Sequence, residues 1–160
     1  MNENLKKELF EIFKLFANSE EIPASYITRA WASCFSVWNG AWRPQGITQK
    51  ALDLLISKDF SDMKGIHRAH IIPRFEVFER ARGKEWSCID EWWDYMVKYD
   101  QCVLATKEEN AMSDKGDYEL VSVHTIPNDD RNLFETTFIG CKFRKKVEVS
   151  YLKSLTNTEQ

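Results

Sequence analysis

The sequence predicts an α+β fold: three helices in the N-terminal part, a central unit of two short strands followed by a helix, and a β-rich C-terminal extension. Three observations carry this. Apolar residues recur at three- and four-residue steps through the first part of the chain, as on the buried face of a helix. Two short apolar runs, "IHRAHIIP" from Ile66 and "CVLAT" from Cys102, then break that period. From Asp117 onward "YELVSVHTI" alternates as a half-buried strand does. Residues 1–64, 65–116 and 117–160 are expected to be three parts of one compact domain.

Each element has its own signals. Leu5, Leu9, Ile12, Phe13 and Phe16 predict a helix over residues 3–17, stopped at Asn18-Ser19 and followed by Pro23. Ser25 is placed to cap a second helix through "YITRAWASCFSVW", which Asn39-Gly40 would end. Pro44 and Gly46 predict a turn. Thr48 then caps a third helix, "QKALDLLISKDF", with Ala51, Leu52, Leu55 and Ile56 on one side. Gly65 opens the first central strand, and Pro73 closes it because proline cannot continue a strand interior.

A loop or helical excursion follows, with "SCIDEWWDYMVKYD" helical over residues 87–99 and Trp92, Tyr95 and Met96 at core spacing. "CVLAT" is the second central strand. Thr106 caps the helix "KEENAMSDKG", acidic in its first turn and ended by glycine. Asn128-Asp129-Asp130 predicts a turn. "TTFIGCKFRKKVEVSYL" reads as a strand bent at Gly140, with passage into a terminal helix as the alternative.

Composition narrows the class. Hydrophobic residues at 43%, with six Trp and ten Phe, supply a substantial core. A chain of this size buries roughly two-thirds of its unfolded surface without disulfide or metal staples. There is no apolar run of about 18 residues, so no membrane span is expected. "MNENLKKELFEIFKLF" lacks both the apolar core and the cleavage site of a signal peptide. Cysteines at 34, 88, 102 and 141 form no C-x-x-C pair and read as reduced thiols, which points to a cytoplasmic protein. The net charge of −3 argues against non-specific coating of nucleic acid, but local basic patches decide binding.

The chemistry concentrates in "GIHRAHIIPR", which holds two of the three histidines. His67 and His70 are three apart, so on a strand they point to opposite faces. In "AHIIP" (69–73) an apolar strand end and a proline follow His70. In "DQCVLATKEENAMSD" (100–114) a polar residue opens the second strand, and Asn110 falls on the next helix, nine positions after Gln101. This arrangement resembles the HNH, or His-Me finger, endonucleases, whose core is a ββα-metal unit. The matching residues lie between 69 and 114.

The resemblance implies hydrolysis of phosphodiester bonds in DNA, with His70 as general base, Gln101 at the position that orients its ring, and Asn110 as a ligand of Mg²⁺ or Mn²⁺. A neutral imidazole suits proton abstraction, typically worth ~10²–10⁴ in rate, and a hard divalent ion suits charge developing on a leaving oxygen. Ala69 stands where many members carry an acidic ligand; His67, Asp100, Glu109 and Asp114 are the candidates to replace it. Gln101 stands where asparagine is usual. The family also implies a homodimer, one site for each strand. Arg68 and Arg74 bracket the base histidine and are candidate phosphate contacts. A second basic cluster, Lys142, Arg144, Lys145 and Lys146, is a candidate DNA grip, as is the run Arg80, Arg82 and Lys84.

Other readings stay open. A structural zinc site from His67, His70 and Cys88 or Cys102 would lack the tight ligand pairs such sites use. His124 lies in an alternating strand and reads as structural. A catalytically inactive DNA- or protein-binding module on the same scaffold is the main alternative. A regulator that pairs through the first amphipathic helix is the third.

Overall fold

The computed structural model describes residues 3–33, 44–113, 119–127 and 145–156. They form an α+β arrangement of helices around one four-stranded mixed sheet. Among the described residues no helix is long and apolar enough to cross a membrane.

Aromatic spacing builds the helical layer. In α1 (Glu3–Ala17), Leu9, Phe13 and Phe16 are buried, while Ile12 and Leu15 fall outside the buried stripe. That stripe meets Ile27 and Trp31 of α2 (Ala24–Ser33), Val77, Phe78 and Ala81 of α4 (Arg74–Arg82), and Trp92, Trp93 and Met96 of α5 (Ile89–Tyr99). The rings interlock: Phe13 lies 5.3 Å from Trp92, and Phe78 meets both Phe16 and Trp31 edge-on. Edge-to-face pairs place ring hydrogens against the negative π-face, which adds to the area term. At the end of α4 the Arg82 guanidinium sits 3.7 Å from the Phe16 ring centre and donates to the Ile22 carbonyl, tying α4 to the α1–α2 loop.

The sheet comprises β1 (Pro44–Thr48), β2 (Ile66–His70), β3 (Cys102–Thr106) and β4 (Ser122–Thr125), in the order β2-β3-β1-β4. β3 is antiparallel to β2 and parallel to β1; β4 runs antiparallel to β1. All five residues of β3 are buried, as its unalternating "CVLAT" requires of a strand covered on both faces. One face packs Ile47, Ile66 and Leu104 against α3 (Gln49–Ser57) and Leu152 of α7 (Lys145–Thr156). On the other, Ala69, Val103 and Ala105 meet Leu120. α6 (Lys107–Ser113) follows β3 directly.

Two sequence expectations are corrected here. Pro44 and Gly46 do not form a turn, and the N-terminal part is not purely helical, because β1 begins at Pro44 and lies inside the sheet. Proline is tolerated as the first residue of a strand. Gly46 serves close strand approach: a Cβ there would lie 2.6 Å from the His124 carbonyl and would also collide with Ser122. Toward the C-terminus, "KKVEVSYLKSLT" is the helix α7, the alternative reading of that segment, and residues 136–144 of the expected strand lie outside the described residues. The alternation of its valines conceals a second pattern, with Val149, Leu152 and Leu155 three apart on the core side. The predicted turns at Asn39-Gly40 and 128–130 and the bend at Gly140 lie outside the described residues.

Candidate active site at the end of strand β2

Strand register brings the site together. His70 is the last residue of β2 and pairs with Cys102, the first of β3. The ladder continues one step further, as the Ile71 amide donates to the Gln101 carbonyl at 3.0 Å. The segment joining α5 to β3 therefore lies beside the histidine. Its first residue, Asp100, ends α5 by donating its own amide to the Met96 carbonyl.

The Asp100 carboxylate is the hub. Its Oδ1 lies 3.3 Å from His70 Nε2 and accepts from Arg74 Nε at 2.9 Å. Its Oδ2 accepts from Trp31 Nε1 at 2.7 Å and from Arg74 Nη2 at 3.2 Å. Burial pushes this acid up, but the Arg74 charge and the His70 contact outweigh it and bring the pKa down to about 2. A buried carboxylate is thus held ionised behind the imidazole. With a proton on the Nε2 that faces Asp100, the other ring nitrogen, Nδ1, carries the lone pair a base needs.

The His70 side chain is only 17% exposed and borders a cavity of about 420 Å³. Thr28, Arg29 and Ala32 of α2 form one wall; Pro73, Arg74 and Phe75 form the other. Sequence reasoning missed Trp31, Arg29 and Phe75. The last two had a readable signal. Ile27 and Trp31 point α2 inward and leave Arg29 outside, while Val77, Phe78 and Ala81 define the buried stripe of α4 and leave Phe75 off it.

The other expected site residues are dispersed. The Gln101 amide donates to the Val97 carbonyl at 2.6 Å, which closes the end of α5, so the group facing the imidazole is Asp100. Glu109 is buried: its Oε2 accepts from the Thr48 hydroxyl at 2.8 Å and the Thr106 amide at 2.9 Å. Thr106 in turn accepts from the Glu109 amide, a reciprocal capping box that starts α6 and fastens it to β1. Asn110 is half-buried on α6, which leaves β3 beside Ile66, whereas His70 stands at the other end of the strand pair.

His67 is exposed on the face opposite His70, as strand alternation demands. Arg68 is buried, and Arg74 is committed to Asp100. Lys145 and Lys146 open α7. Lys142, Arg144 and Asp114 lie outside the described residues.

Among the described residues, the candidate ligands are not assembled as a Mg²⁺ or Mn²⁺ site. Both Asp100 oxygens are engaged, Glu109 is spent on caps, and among the described residues no three His, Cys, Asp or Glu side chains converge. Cys102 is buried and Cys88 exposed. No protein-family model matches this chain, and no match is found among curated proteins or solved structures.

Proposed function

We propose that this protein is a nuclease that hydrolyses phosphodiester bonds in DNA, with His70 as general base. The observation that carries the reading is the His70–Asp100 pair at the mouth of the cavity, on an antiparallel strand pair that leads into a helix. Asp100 fixes the ring and stabilises the imidazolium formed when Nδ1 takes a proton from the attacking water. Positive charge from Arg29 on one wall of the cavity and from the edge of Arg74 on the other would face the phosphate oxygens that gain charge. No step is assigned to a divalent ion, although the resemblance to His-Me finger nucleases makes Mg²⁺ and Mn²⁺ the ions to supply in the assay.

Supercoiled plasmid is the substrate for the test, incubated with Mg²⁺, with Mn²⁺ and with EDTA. The wild type is expected to nick it, and His70→Ala to lower the rate by about 10²-fold or more. Nicking that is unchanged in His70→Ala removes His70 from the mechanism; no cleavage under any condition removes the proposal.

A second reading has its own support. Asp100 binds Trp31, Arg74 and His70 at once, so the cluster joins α2, α4, β2 and the end of α5 as a structural clamp. On this reading the scaffold is a catalytically inactive binding module. His70→Ala would then lower the urea midpoint while DNA stays intact with either protein.

A further inference from the structure

We propose that the cavity over His70 is a subsite for an unpaired nucleotide of single-stranded DNA, its base laid on Phe75 and its phosphate held by Arg29. The inference rests on the nuclease reading in one respect: it places the scissile phosphate at His70.

Phe75 is 54% exposed although it is one of the largest apolar side chains on α4, and it stands at the cavity edge. It does not belong to the aromatic core that Phe78 joins one turn later. An exposed ring offers a flat apolar face, and every base has a matching one, so stacking tolerates sequence. In a duplex those faces are covered by neighbouring bases, and the same contact requires an unpaired one.

Charge points the same way. Among the described residues, the charged and titratable side chains lining the cavity are Arg29, Arg74 and His70, with no acidic one. Arg74 is balanced by Asp100 behind it. Arg29 is exposed and forms no ion pair among the described residues, which leaves its charge available at the opening. The cavity volume of about 420 Å³ lies toward the lower end of small-ligand sites, a scale suited to one nucleotide unit. A cation beside a stacking ring is the pattern by which proteins track single strands.

The test is fluorescence anisotropy with labelled oligo(dT) of about twenty nucleotides, in EDTA so that cleavage does not enter. Wild type is expected to bind oligo(dT) more tightly than a duplex of equal length. Phe75→Ala should weaken that binding about tenfold and Phe75→Trp should retain it. Arg29→Ala should lower the log–log salt slope by about 0.7. Both positions are exposed, and an unchanged urea midpoint checks that the variants fold. An affinity unmoved by Phe75→Ala, a duplex bound as tightly as oligo(dT), or binding of dTMP without oligo(dT) overturns the subsite.

The two proposals fail separately. His70-dependent nicking with an indifferent Phe75 removes the subsite alone. Phe75-dependent binding of oligo(dT) without nicking under any ion removes the nuclease reading and leaves the subsite standing.

Discussion

Asp100 is an acid with no access to water that nonetheless keeps its charge, because Arg74 supplies an opposite charge at 2.9 Å. Its folded pKa of about 2 lies below the ordinary 3.8, so the folded state favours the deprotonated form. The stability this contributes, about 2–3 kcal/mol, is fully present above the unfolded value. It is lost as pH falls from near 4 through about 2, where protonation no longer distinguishes the two states. Asp100→Asn should therefore lose the acid-limb slope in that window. At neutral pH it should cost about 3 kcal/mol, since it removes the buried negative charge that Arg74 faces. Urea titrations at pH 7 and along the acid limb measure both effects; equal acid slopes in the two proteins would refute the assignment.

At the level of elements, Gly46 shows how a strand can hide. Pro-x-Gly is ordinary turn chemistry, and nothing local distinguishes it from a strand whose neighbour comes unusually close. β4 supplies the missing information from far along the chain: the Ser122 side chain and His124 carbonyl occupy the space a Cβ would take. Gly46→Ala is expected to separate β4 from β1 and to cost more than about 1 kcal/mol. Amide exchange at Ile126, whose N–H donates to the Gln45 carbonyl at 2.8 Å, should accelerate well beyond the change at β3.

Elements whose signals are local were legible. The stripe of α1 and the Thr48 and Thr106 caps could be read from spacing and side-chain chemistry alone. α7 was obscured because Lys145 to Ser150 fits a strand period as well as a helix period. Only packing against Ile47 and Leu104 decides between them.

For the molecule as a whole, the aromatic core also sets the cavity, whose walls are α2 and α4. Trp31 of α2 and Phe78 of α4 hold those helices together edge-to-face, with ring centres 6.0 Å apart. Phe78→Ala should cost about 3–5 kcal/mol and lower the urea midpoint accordingly. Near-UV circular dichroism should weaken with it as the Trp31 packing loosens; an unchanged spectrum would show that the walls do not depend on this contact.

The site was legible in part for the same reason. His70 and Asp100 stand out by residue type, and the two strands that carry or adjoin them could be read from short apolar runs. Their partnership was not readable, because it depends on strand register and on Trp31, 69 positions away.

The sheet order has a consequence for how the chain reaches its native state. Among the described residues no two hydrogen-bonded strands are joined by a tight hairpin: β2 and β3 flank two helices, and β1 waits for β3 and β4. Closing such distant pairings costs loop entropy before any ladder repays it, which places sheet closure late. During synthesis, β1 leaves the ribosome before either of its described partners, β3 and β4, which follow only after α5 has emerged. The nascent chain is therefore most prone to aggregation, and most dependent on chaperones, over that interval.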